Sequence, residues 1–324
     1  MQKLLQFTTL AAIALTMCIV SDANAQWPEY TQVGDKNYIE IGGRALNRPG
    51  TDLPLSIVEN SVTGATLFSA NQATAAASAA GVEISYNFST RHGRDFEFRT
   101  FTGTWDSNTF IDGGNITSPL FPGQEADSFD YNYDSQIWSF ELNTKRALLP
   151  GLTFFGGPRF VSFRDEISFA AQVDAIPFGT VQPFDTETRQ SFEAINNLIG
   201  FQAGLRFEKP INNFLRGAGF IRTGGYFNPT TVRTSEQSGV VGLPPLTFVN
   251  TEATKATGSF LAEVGGKAYL DFARGCSCFV GYEGTWIDGV ALAPPSFFTP
   301  DSGEVETANT LFFHAVTFGF RFGW

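Results

Sequence analysis

The feature that most constrains this chain is the rhythm of gaps between segments in which apolar residues recur at every second position. Ten such segments lie near residues 36–46, 80–90, 95–105, 136–147, 151–165, 196–208, 215–227, 258–272, 278–287 and 311–324. In the last, Val316, Phe318, Phe320, Phe322 and Trp324 share one face, and Ala315, Thr317, Gly319, Arg321 and Gly323 share the other. That is the period of a β-strand. Val82, Ile84, Tyr86 and Phe88 alternate in the same way, as do Ile199, Phe201, Ala203, Leu205 and Phe207. Two segments are ambiguous: 151–165 contains Gly156-Gly157-Pro158, a candidate for a bulge that switches parity, and 215–227 reads in either register.

Long gaps follow the first, third, fifth, seventh and ninth segments, at residues 47–79, 106–135, 166–195, 228–257 and 288–310, and the remaining gaps are short. A soluble β-sandwich, the rival all-β reading, has no reason to alternate its connections. A transmembrane antiparallel up-and-down β-barrel does, with short periplasmic turns and long extracellular loops. The expected fold is such a barrel with about ten strands, within a range of about 8–12. Because backbone polar groups in hydrocarbon need internal partners, strands cross a bilayer only when the sheet closes on itself.

Composition agrees. Charged residues make up 16% of the 324, against about 25% in an average soluble protein, and Phe alone accounts for 34. Disorder is thereby excluded, and the net charge of −11 argues against a nucleic-acid partner. Lys3, the apolar run Leu4–Val20 and Ala23-Asn24-Ala25 read as a signal peptide over residues 1–25, cleaved before Gln26. Met17 before Cys18 argues against a lipoprotein anchor, because the residue there is not small. After the leader no stretch is apolar for the 18 or so residues a helical span needs. Residues 26–324 are then a single barrel domain, integral to the cell outer membrane.

A barrel assigns places to side chains. Tyr38, Trp105, Trp138, Trp286 and Trp324 are expected in the interfacial girdles. Phe320, Phe322 and Trp324 end an alternating strand as an assembly signal for the outer-membrane machinery. The lumen-lining candidates are Glu40, Arg44, Glu83, Glu97, Arg99, Glu141, Arg206, Glu263, Lys267, Glu283 and Arg321, a balanced set expected to pair internally. Asp106, Asp112, Glu125, Asp127, Asp130 and Asp134 form an acidic extracellular loop, whereas the short turns carry Arg91, Arg94, Lys145, Arg146, Lys209 and Arg274. Barrels of about eight strands are filled by their own side chains and general pores have roughly 16–18, so the expectation is a narrow, porin-like channel for ions or small solutes. The alternative is a sealed structural or surface-binding barrel. Expected partners are outer-membrane lipid and lipopolysaccharide, and the assembly machinery.

Signals for chemistry are sparse. His92 falls in a short turn and His314 shares parity with lipid-facing Val316, so neither is placed as a catalytic base and no enzyme is expected. No metal site and no cofactor are indicated. Cys276 and Cys278 either bridge as a small clasp or stay as two small hydrophobes. The Ala-rich segment Thr63–Ala80 reads as a short helix, either a constriction in the mouth or an exposed cap.

Over residues 150–324, the runs FFGGPRFVSFRDEISF, NNLIGFQAGLRFEKP, GSFLAEVGGKAYLDF, CFVGYEGTWIDGV and HAVTFGFRFGW resemble the seventh of the bacterial outer-membrane beta-barrel porin families. The resemblance implies an outer-membrane barrel of pore type and carries over no catalytic or ligand residues.

Overall fold

The computed structural model describes residues 37–49, 56–69, 78–90, 94–118, 125–173, 185–241, 247–293 and 305–324. The leader, Arg91 and His92 lie outside them. The strands are β1 Tyr38–Asn47, β2 Ser56–Asn60, β3 Thr66–Ser69, β4 Ser78–Ser89, β5 Asp95–Thr117, β6 Glu125–Leu149, β7 Leu152–Val173, β8 Thr186–Pro210, β9 Leu215–Val240, β10 Thr247–Ala273, β11 Cys276–Val290 and β12 Asn309–Gly323. Ten of them close into one antiparallel barrel. β1 pairs with β4 on one side and β12 on the other, and from β4 to β12 each strand pairs with its successor. β2 and β3 form a hairpin attached to the far end of β5 through Glu59–Thr117 and Asn60–Ile116.

Each of the ten alternating segments is a barrel strand, and each short gap is a turn. Gly151 and Gly275 take the left-handed φ values of 78° and 72° that two of these turns require. The long gaps are largely strand. β5 to β10 run for 22 to 27 residues, where about 9–11 suffice to cross a bilayer. β1, β4, β11 and β12 have only 10 to 15. At the turn end the wall therefore has ten strands. At the other end it is a curled sheet of β5 to β10, extended by the β2–β3 hairpin.

Three expectations need correction. Thr66–Ser69 and Ser78 onward are strand, not helix, because they find ladder partners in β2 and β1; residues 70–77 lie outside the described part. Gly156-Gly157-Pro158 contains no bulge, since Glu141–Arg159 and Thr144–Gly156 keep one register through it. The six acidic residues assigned to a loop sit on β5 and β6, where Asp106 lies directly opposite Asp134.

Along the long strands the alternation inverts. On β6, Trp138, Phe140 and Leu142 point outward, with Ser139, Glu141 and Asn143 buried inside. Farther from the turns the same strand buries Phe129, Tyr131 and Tyr133 and turns Asp130, Asn132 and Asp134 outward. β8 repeats this: Ile199, Phe201, Leu205 and Phe207 are exposed below, while Phe192, Ala194 and Leu198 are buried above.

Candidate functional site: a filled lumen

The turn-proximal interior is an ion network. Strands β1, β4, β5, β6, β10, β11 and β12 each project acids or bases inward at alternate positions, so opposite charges meet across the ladder. Arg99 on β5 faces Glu141 on β6, which faces Arg159 on β7, and Arg222 on β9 faces Glu263 on β10. Glu83 accepts from Arg44 at 2.7 Å, from Arg99 at 3.0 and 3.1 Å and from Lys267 at 3.1 Å. Glu40 accepts from Lys267, Arg321 and the Tyr269 hydroxyl at 2.9, 2.7 and 3.0 Å. Glu141 takes Arg222 at 2.9 Å and the Gln202 amide at 2.7 Å, and Glu263 takes Arg159 at 2.6 and 3.2 Å. Glu283 pairs with Arg44 and Arg99, and Glu97 with Lys145 and Arg206. At the turn-end rim Glu208 joins Arg206, Arg216 and Arg321, and Arg216 also reaches Asp271.

All eleven lumen candidates lie on this inner wall, joined in one network. Arg159 and Arg222, both almost fully buried, escaped the sequence reading for a single reason. They sit in the two segments whose parity was ambiguous, and without a bulge at Gly156-Gly157-Pro158 the parity of β7 turns Arg159 inward. Lys145, read as a turn residue, belongs to β6 and meets Glu97.

Above the ions lies an apolar layer containing Leu46, Phe101, Trp105, Ile137, Val161, Leu198, Leu261, Ile287 and Phe313. Trp105 is 1% exposed and packs edge-on against Phe313, ring centroids 5.8 Å apart. Tyr38 lies in the ion network, accepting through its hydroxyl from Lys145 at 3.3 Å and Arg206 at 3.2 Å. Neither belongs to a girdle. Trp138, Trp286 and Trp324 are exposed on the outer face as expected.

A strap crosses the lumen next. The bulge between Asp288 and Val290, with Gly289 at φ 78°, turns the chain inward after β11, and residues 290–293 are at most 1% exposed. A backbone entering an apolar interior needs partners for its polar groups, and barrel side chains supply them. Asn196 brackets Ala291, donating to its carbonyl at 2.7 Å and accepting from its N–H at 2.9 Å. Asn228 and Ser259 donate to the Gly289 carbonyl at 3.1 and 2.6 Å. Asp165 accepts from the Ala293 N–H at 3.0 Å, from Arg48 at 3.0 Å and from the Tyr133 hydroxyl at 2.5 Å. A second apolar core surrounds the strap, including Val58, Phe68, Ile116, Phe129, Tyr131, Ile167, Phe169 and Ala293.

What stays open is small. A cavity of about 40 Å³ within the ion network is lined by Glu40, Glu83, Glu97, Arg99, Arg206, Arg222 and Lys267, with Ser85, Phe155, Ala218, Phe220 and Tyr269. By the measure on which one water needs about 10–15 Å³, it holds about three. Drug-sized ligands need about 300 Å³ or more.

His314 lies on the outward face between the rings of Tyr282 and Phe312. No disulfide joins Cys276 and Cys278. Two residues apart on one strand, their Cα atoms are about 6.6 Å apart, at the limit of disulfide geometry. Among the described residues no group of three metal-ligating side chains converges. On the outer wall, Asp134, Glu166 and Glu193 stand directly opposite one another. Burial, together with Glu193 and Asp134, raises the Glu166 carboxyl above the ordinary range against the opposing pull of Arg164.

The fold defines the chain as a closed ten-stranded antiparallel β-barrel protein. No family model and no curated protein matches it, so the resemblance of residues 150–324 to one porin family extends no further than a general likeness to outer-membrane barrels. Solved structures with a similar arrangement include the outer membrane protease OmpT of Escherichia coli, 10% identical over 92% of this chain and 100% of that one, TM-score 0.44. The toluene transporter TodX of Pseudomonas putida is 10% identical over 89% of each chain, TM-score 0.28. A FadL homologue of Pseudomonas aeruginosa is 8% identical over 89% of this chain and 88% of that one, TM-score 0.27.

Proposed function

We propose that this chain is an outer-membrane barrel with a closed lumen, which anchors and presents an extracellular β-wall without conducting solutes. The observation that carries the reading is the inversion at one height of both faces of the wall. Below it the outside is apolar and the inside charged, as hydrocarbon demands; above it the outside is charged and the inside apolar, as water demands. On β10 the outward apolar run extends from Phe260 to Phe272, about 40 Å along the strand and about 30 Å along the axis at a tilt near 40°. That spans a hydrocarbon core of about 30 Å. Lipid and lipopolysaccharide then face this band, the short turns face the periplasm, and β12 with Phe320, Phe322 and Trp324 engages the assembly machinery.

A conducting channel needs a continuous water column. Ions, an apolar layer, the strap and a second apolar core succeed one another along this lumen instead. The test is planar-bilayer conductance of the refolded mature chain, with a heat-modifiable gel shift verifying that the barrel has folded. Folded protein without current steps is the expected result; discrete steps would overturn the closed reading in favour of the narrow channel.

A further inference from the structure

Arg222 is the network cation whose pairing is incomplete. Its Nη1 donates to Glu141 at 2.9 Å, its Nε contacts Glu263, and its guanidinium faces the Phe220 ring at 5.0 Å. Its Nη2 has no hydrogen-bond partner among the described residues, although Arg222 is only 3% exposed. A buried donor left unpaired costs about 1–3 kcal/mol, more when charged. This one belongs to a side chain that lines the cavity of about 40 Å³.

Charge around that cavity is unequal in the same sense. Its lining has four cations, Arg99, Arg206, Arg222 and Lys267, against three carboxylates, Glu40, Glu83 and Glu97. The whole ion network described above repeats the excess, with nine cations and eight carboxylates. A net charge enclosed by protein and hydrocarbon is costly unless it is compensated. Water would satisfy Nη2 but leave the charge. A divalent anion would reverse it, and a large polyatomic one exceeds the space.

We propose that this cavity binds one small monovalent anion of halide type, held by Arg222 Nη2 with Lys267 and Arg99 or Arg206 beside it. The anion acts as a structural counter-ion of the lumen. The site deepens the closed-barrel reading, on which its burial rests, but its test does not depend on conductance. Crystals of the mature chain grown in sodium bromide are expected to show an anomalous peak within hydrogen-bond distance of Arg222 Nη2. A cavity holding only water-like density without anomalous signal overturns the proposal. In solution, the urea midpoint of the detergent-refolded chain is expected to rise with chloride when gluconate keeps the ionic strength constant, and Arg222→Gln is expected to abolish that rise. Superimposed chloride and gluconate curves, or a chloride dependence that survives Arg222→Gln, count against the site. The bromide experiment uses the unaltered chain, so the proposal stays testable if the variant does not refold.

Discussion

The two halves of the lumen are built by the same strands on opposite rules. Near the turns Glu83, Glu141 and Glu263 are enclosed with Arg44, Arg99, Arg159 and Arg222, while Phe201, Val264 and Trp286 are exposed outside. Farther up, Phe129, Tyr131, Ile167 and Phe169 are enclosed, while Arg164, Glu193, Arg233 and Glu252 form ion pairs along the outer wall. The upper half resembles a water-soluble protein and the lower half its inverse. A strand has no preference for either arrangement, because its period of two separates two faces without saying which is dry. The surrounding solvent decides.

That contrast can be broken at several points. The largest effect is expected from Glu263→Ala, which leaves Arg159 and Arg222 enclosed without their carboxylate and should cost about 3–5 kcal/mol in urea titrations of refolded protein. A loss under about 1 kcal/mol would mean that water penetrates the network. Next comes a matched pair on one outward face of β8. Phe201→Arg, in the apolar band, should cost about 2–4 kcal/mol in lipid vesicles, and Ser191→Arg, above the band, about zero. Equal costs would sink the inversion.

Asp165→Asn weakens three ties at once, to Arg48, Tyr133 and the Ala293 N–H. A loss of about 1–3 kcal/mol is expected, with faster hydrogen exchange at residues 290–293 and still no conductance, because the ion network is untouched. Exchange unchanged at the strap would show that Asp165 does not hold it.

The smallest effect concerns Glu166, which stands between Asp134 and Glu193 with Arg164 beside it. Its folded-state pKa is raised, so the folded state holds this proton more tightly than the unfolded chain does. The contribution of Glu166 to stability should rise as pH falls from neutrality through the raised pKa. Glu166→Gln should stabilise the protein at pH 7 by about 0.2–1 kcal/mol and flatten that part of the pH profile. A variant less stable than the parent at pH 7 would show the Arg164 pairing to dominate.

Much of this was legible in the chain. The ten strands and their short turns follow from alternation and gap length, and the eleven charged positions follow from parity wherever parity was clean, as on β1, β4 and β12. What stayed hidden has definite causes. Arg159 and Arg222 sat in segments of ambiguous parity. The outer halves of β5 to β10 alternate with the opposite polarity, so a search for outward apolar residues ended where the band ends and took the rest for loops. Trp105 and Tyr38 were assigned by residue type, whereas parity turns both inward. The strap left no pattern of its own, since its partners Asn196, Asn228 and Asp165 lie on β8, β9 and β7, far from it along the chain.

The strap lies between β11 and β12, and β12 also makes the seam with β1. One hairpin connection therefore bears on two closures. The β1–β12 seam joins positions more than 270 residues apart, such as Glu40 and Arg321, and the strap reaches Asp165 on β7 across more than 120. Contacts of such long range are the slowest to form, because their loop entropy must be overcome before they contribute. Seam and stopper are thus expected to arrive together and late in folding, and a chain that has not yet closed its wall would also still be unplugged.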